Sequence, residues 1–166
     1  MKNRAEALSE SPLQPDRSRS FRRYWLPVVL WMLLIFGLST DAGSPRHTSR
    51  IIGPLLRWLN PSVSDETIHD LQVVIRKTAH VTEYAVLAWL VWRARRKPMR
   101  GDRRPWILSD AAFALGFAVL FAASDEWHQT FVPTREGHVS DVFIDGAGAA
   151  LGLFLRWRLD RLRKHG

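Results

Sequence analysis

Residues 24–38, YWLPVVLWMLLIFGL, carry no charged side chain, and Pro27 is their only interruption. With Phe21 and the Arg22-Arg23 pair ahead of it, this stretch reaches the roughly 20 residues that a helix needs to cross a bilayer. A basic start followed by an apolar run also describes a signal peptide. However, 39–43 (STDAG) match a small-x-small cleavage site poorly, and further apolar segments follow. The stretch is therefore expected to stay as an anchor spanning about 21–40.

Three more apolar segments cover about 71–92, 105–123 and 139–157. Each contains ionisable residues: Arg76, Lys77, His80 and Glu83 in the first, Asp110 in the next, Asp141 and Asp145 in the last. Short apolar runs also suit the buried helices of a soluble bundle, so hydropathy alone does not decide. Charge distribution does. Of 24 Lys and Arg residues, 18 lie in the tail to Arg23, in 93–104, or from Arg156 onward, whereas 41–77 and 125–140 together hold six. Alternation of this kind is the positive-inside pattern.

The expected fold is thus all-α: an integral membrane bundle of four transmembrane helices, multi-pass in the cell (inner) membrane, with both termini cytoplasmic (N-in, C-in). Residues 1–20 form a disordered cytoplasmic tail, 21–158 one membrane domain, and 159–166 a basic cytoplasmic tail. Residues 48–59 are apolar at 51, 52, 55, 56, 58 and 59 but too short to cross, and are expected as an interfacial amphipathic helix between the first and second spans. Ser64, followed by Asp65 and Glu66, reads as the N-cap and acidic first turn of the next helix. Trp25, Trp92, Trp106 and Trp157 fall near span ends, where amphipathic rings anchor.

The net charge of +8 is then a difference between two sides: 18 basic and six acidic residues on the cytoplasmic side, six and ten on the other. The basic residues flank apolar spans in short runs without a recognition fold, which points to anionic lipid headgroups and excludes nucleic acid as the partner. Absence of cysteine removes disulfides, thiolate metal sites and cysteine nucleophiles.

In this topology the polar residues meet at one level. Lys77, His80 and Tyr84 share an arc of about 60° on the second span, at 100° per residue. Asp125, Glu126 and Gln129 end the third span. Asp141, Asp145, Gly148 and Gly152 share a similar arc of about 60° on the fourth, with the glycines as a packing seam. Charges inside a span face the bundle interior and pair, so Lys77 is expected against Glu126, Asp141 or Asp145. Arg135, between Pro133 and Gly137, is placed to fold over the cluster and grip a phosphate or carboxylate.

The series Lys77-x-x-His80-x-x-x-Tyr84, Asp125-Glu126-x-x-Gln129, Pro133-x-Arg135 and Asp141-x-x-x-Asp145-x-x-Gly148-x-x-x-Gly152 resembles the VanZ-like membrane proteins over about 75–155. Arg76 and Asp145 depart from that pattern, where Asp and Asn are common. The resemblance implies a small multi-pass envelope protein. The family takes its name from a protein that raises resistance to the glycopeptide teicoplanin, and it has no established reaction.

The expected function is non-enzymatic: a polar pocket at the extracytoplasmic face binds an anionic group of a lipid, wall precursor or glycopeptide-type drug. The ligand-binding set is Lys77, His80, Tyr84, Asp125, Glu126, Gln129, Arg135, Asp141 and Asp145, and the partners are membrane lipids and an envelope precursor or drug. An alternative is an intramembrane acid/base or metal-assisted enzyme acting on a lipid-linked substrate, with Glu126, Asp141, Asp145 and His80 as catalytic candidates. No cofactor is expected. Without HExxH or a close His pair no metal is expected either, and the residues such a variant would use are His80, Glu126, His128 and Asp141.

Overall fold

The computed structural model describes residues 17–40, 45–98, 104–133 and 137–165. Among them are six helices and no strand: α1 Arg17–Tyr24, α2 Leu26–Ser39, α3 Pro45–Leu59, α4 Asp65–Arg96, α5 Leu108–Gln129 and α6 Val139–His165. The all-α class follows from the residues themselves. Leu and Ala, good helix formers, are the commonest residues of the apolar segments, and the chain breaks where Pro, Asn or clustered charge interrupts them.

α1 and α2 together occupy the first expected span. The break at Trp25 is slight, since Trp25 N–H still bonds Phe21 O at 2.8 Å and Val29 N–H bonds Trp25 O at 3.0 Å. Pro27, which has no N–H to give, sits in the first turn of α2, where none is needed. The helix starts at Arg17, inside the segment expected as a disordered tail; 1–16 lie outside the described residues. The expected interfacial segment 48–59 lies within α3, which begins at Pro45. Ser64 caps α4, its Oγ accepting from Thr67 N–H at 3.2 Å.

α4 runs well past both ends of 71–92. Its 32 residues rise about 48 Å, and it stops where Lys97 takes a left-handed conformation (φ 48°) that closes its last turn. α6 likewise continues through most of the expected C-terminal tail, to His165. The third expected span, 105–123, shifts to Leu108–Gln129: the polar run Ser124–Gln129 stays helical, with Asp125 bonded to Ser39 of α2 and Glu126 to the His138 N–H just before α6. Among the described helices, α5 alone is long and apolar enough to cross a membrane; α2 is apolar but has 14 residues, and α4 and α6 carry more charge.

α2 and α5 run one way, α4 and α6 the other, so α4 and α6 are parallel neighbours and share the most extensive interface. α5 packs against both, and α2 lies mainly on α4, with Trp31 Nε1–H donating to Glu83 O at 2.9 Å. Small side chains fill the interior: Ala111, Ala114, Ala118 and Ala122 form one buried face of α5, and Ala149 lies on α6. A Cβ on Gly148 would come within 2.8 Å of Val81 Cα, and one on Gly152 within 2.8 Å of Ala85 Cα. At these two positions the backbones of α4 and α6 touch, and only glycine fits.

One end of the bundle is basic and aromatic. Trp92 and Trp106 stack at 5.1 Å between centroids, with the Arg96 and Arg156 guanidinia over the Trp92 ring at 5.5 and 5.1 Å. Trp92 is therefore a core residue, 1% exposed, rather than a surface anchor, because α4 extends a further turn beyond it. Asp110 pairs with Arg95 at 2.8 Å across α4 and α5.

Candidate functional site

The opposite end gathers polar side chains from four helices. Ser39 comes from the last turn of α2, Lys77, His80 and Tyr84 from α4, Asp125, Glu126 and Gln129 from the end of α5, and Asp141 and Asp145 from the start of α6. Ser39, Tyr84, Asp125, Glu126, Gln129 and Asp145 are buried.

Two contacts repeat the register of the glycine seam. Lys77 Nζ donates to Asp141 Oδ1 at 3.4 Å, and His80 Nδ1 lies 3.2 Å from Asp145 Oδ1. Going down the helices, Val81 then meets Gly148 and Ala85 meets Gly152. A single parallel alignment of α4 with α6 thus sets both charged contacts and both backbone contacts. Lys77 takes Asp141 rather than Glu126 or Asp145. Its side chain is 44% exposed and sits at the rim, while the Asp145 side chain is fully buried.

α5 contributes a second layer. Asp125 Oδ2 accepts from Ser39 Oγ at 2.6 Å, and Gln129 Nε2 donates to Asp125 Oδ2 at 3.3 Å and to Glu126 Oε1 at 3.2 Å. Glu126 Oε2 accepts the His138 backbone N–H at 3.0 Å. Gly137 packs against Glu126 O and the Thr130 methyl, so the end of the α5–α6 connection is pinned to the cluster from two sides. Arg135 lies outside the described residues.

Four buried polar atoms at this end have no hydrogen-bond partner among the described residues: Tyr84 Oη, Asp125 Oδ1, His128 Nδ1 and Asp145 Oδ2. The His128 ring stands instead against Phe36 of α2, 4.4 Å between centroids. His80, Glu126 and Asp145 each present a donor atom within 4.8 Å of the others. This is a different set from His80, Glu126, His128 and Asp141. His128 is two residues from Glu126, about 200° round the helix, and so faces another neighbour; Asp141 is engaged with Lys77. The member missing from that set was Asp145.

Ser39 and the His138 N–H are contacts that the motif spacing does not reveal. Ser39 could have been found from the sequence, because it ends the first apolar segment as Asp125 ends the third.

The chain matches the VanZ/LLP1 family model over residues 24–160. The chain belongs to the VanZ/LLP1 family. No curated protein and no solved structure matches it. The family match contains every residue of the buried cluster, from Ser39 on α2 to Asp145 on α6, together with the seam glycines. In this VanZ/LLP1 protein the polar end is therefore built from the family domain itself rather than from an appended segment.

Below the cluster, toward the basic end, an apolar groove of about 330 Å³ opens between α4 and α6, lined by Val81, Ala85, Trp89, Leu151, Gly152 and Leu155 among others. It begins one turn beyond Lys77 and follows the seam where the glycines leave no side chains to fill the surface.

Proposed function

We propose that this VanZ/LLP1 protein spans the inner membrane four times, with both termini in the cytoplasm, and binds the phosphate-bearing headgroup of an envelope lipid or lipid-linked precursor at its outer end. The observation that carries this reading is the convergence of buried polar side chains from four helices at one end of a bundle whose flanks are apolar.

Leu33, Leu120, Phe143, Phe154 and Leu155 are all more than half exposed and lie on α2, α5 and α6. An apolar surface this extensive supports a lipid surrounding. From Lys77 to Arg95 the rise along α4 is about 27 Å, close to the roughly 30 Å thickness of a hydrocarbon core. The exposed face of α3, with Leu55, Trp58 and Leu59, suits the outer interface. The arginine-rich end belongs in the cytoplasm by the positive-inside pattern. Reporter fusions at Asn60 and Gly137 are expected to read outside, and those at Lys97 and the C-terminus inside. A cytoplasmic Gly137 would dismantle the arrangement.

The headgroup meets Lys77, the half-exposed cation at the rim, and the acyl chain lies in the groove that starts one turn below it. Binding, rather than chemistry, is favoured because Ser39, the buried hydroxyl of α2, is hydrogen-bonded to a carboxylate and is not presented to a substrate. The His80–Asp145 contact is the observation that keeps acid/base catalysis as the second reading, since a carboxylate that orients an imidazole is what a general base requires. Titration of the detergent-purified protein with phosphatidylglycerol, followed by native mass spectrometry, tests the binding reading. Lys77→Ala is expected to weaken the lipid adduct about fivefold, from about 1 kcal/mol of attraction per basic residue at an anionic surface. An unchanged adduct would reject Lys77 as the headgroup contact.

A further inference from the structure

Phosphate binding at this end meets an electrostatic difficulty. Asp125, Glu126, Asp141 and Asp145 stand close together, and the lysine there is already engaged with Asp141. An anion would be repelled unless further positive charge sits among the carboxylates.

We propose that His80, Glu126 and Asp145 hold a divalent transition-metal cation, of the Zn²⁺ or Mn²⁺ class, and that its open position faces the lipid phosphate. The inference rests on the binding reading above and deepens it.

Three observations support the site. Donor atoms of the three residues already lie within 4.8 Å of one another, although they come from three different helices. Bond lengths of about 2.0–2.2 Å place adjacent ligands of a tetrahedral ion about 3.3–3.6 Å apart; His80 Nδ1 and Asp145 Oδ1, 3.2 Å apart, need separate only slightly to take such an ion. The residues are also enclosed, with Asp145 fully buried and Glu126 5% exposed. Finally, Asp145 Oδ2 is buried without a hydrogen-bond partner among the described residues, on a side chain that no solvent reaches. Unpaired carboxylate oxygen in such a place is costly unless a cation takes it up.

The donor set also fits this class of ion. One imidazole and two carboxylates suit Zn²⁺ or Mn²⁺ better than soft Cu⁺, and the two negative charges balance the metal. Glu126 is held by its own outer contacts, the His138 N–H and the Gln129 amide, which is how ligating carboxylates are normally oriented.

The test uses the full-length protein in an uncharged detergent, stripped with chelator and then titrated with Zn²⁺ or Mn²⁺ against a metallochromic indicator. Because no phospholipid is present, its outcome is independent of headgroup binding. One equivalent per chain is expected, at least about tenfold weaker in Glu126→Gln and in His80→Gln, and unchanged in His128→Gln. Each variant is compared at the same monodisperse elution and helicity. If Glu126→Gln does not fold, the visible spectrum of bound Co²⁺ in wild type and its loss in His80→Gln serve instead. Substoichiometric binding in wild type overturns the inference, and so does an equal loss in His128→Gln. Metal binding without any lipid adduct would keep this site and reject the lipid reading; a lipid adduct without metal would do the reverse.

Discussion

Gly148→Ala and Gly152→Ala are each expected to destabilise the protein by about 1–3 kcal/mol, at the upper end of that range, and the pair together to abolish a stable bundle. The new methyl groups would meet Val81 and Ala85 backbone atoms within 3.0 Å, not the far end of a flexible side chain. Backbone inside a long helix cannot step aside without moving the whole helix, so α6 must separate from α4. Gly116→Ala on α5 provides the opposite sign: nothing lies within 4 Å of the added carbon, and the substitution should stabilise by about 0.4–1 kcal/mol. Gly146→Ala, whose added carbon meets a Val119 methyl at 3.4 Å, should fall between. Thermal unfolding in detergent, followed by the emission of the eight tryptophans, reads all four. Equal shifts at Gly116 and Gly148 would show that helix contact is not what these glycines provide.

The same substitutions carry a consequence for the polar end. Lys77–Asp141 and His80–Asp145 lie in the register that the glycines permit, within two turns of Gly148. Separating α4 from α6 would pull both pairs apart. Stability of the seam and assembly of the site are one property of this fold.

The meeting of these side chains at one end of the bundle was partly legible in the sequence, because charge alternation and helical spacing are properties of the residues themselves. Charge alternation placed Lys77, Asp125 and Asp141 at one level, and helical spacing put His80 and Tyr84 with Lys77 and put Gly148 with Asp145. Ser64 followed from cap chemistry alone. What sequence did not show depends on neighbours across helices. Ser124–Gln129 looks like the end of a span because its residues are polar. It remains helical, and its Asp125 and Glu126 are buried with Ser39 and the His138 N–H as partners. Trp92 looks like an interface anchor, but the further turn of α4 that encloses it is set by Arg96, whose guanidinium donates to the carbonyls of Arg104 and Pro105 in the next connection. Partner choice was hidden for a similar reason. Lys77 could reach several carboxylates by level, and only the parallel register of α4 and α6 selects Asp141.

The two ends of the bundle treat charge differently. At the basic end, Arg95, Arg96 and Arg156 spread their charge over aromatic rings, backbone carbonyls, Asp110 and Asp160, although Arg156 Nε and Trp92 Nε1 are buried there without a hydrogen-bond partner among the described residues. At the other end the carboxylates share few donors, and two of their oxygens have none. Structural glue would be expected to resemble the first end. The second resembles a place kept open for something else to bind.

His80→Leu in metal-free protein is expected to be among the most damaging single changes, at about 3–5 kcal/mol, because it leaves the Asp145 carboxylate buried with no hydrogen-bond partner among the described residues. Asp145→Asn alone removes the charge but keeps the shape and an acceptor for the imidazole, so its loss should stay near 1 kcal/mol, the size of an ordinary hydrogen bond. Combining them separates the contributions. Once the charge is gone, His80→Leu strands only a neutral amide, which costs about 1–3 kcal/mol. The double variant should therefore be more stable than His80→Leu, even though it differs from wild type at one more position. Unfolding in detergent with chelator present, measured on all four proteins, gives the coupling directly. Additive losses would mean that the imidazole does not compensate the carboxylate, and the short His80–Asp145 contact would then be packing without electrostatic consequence.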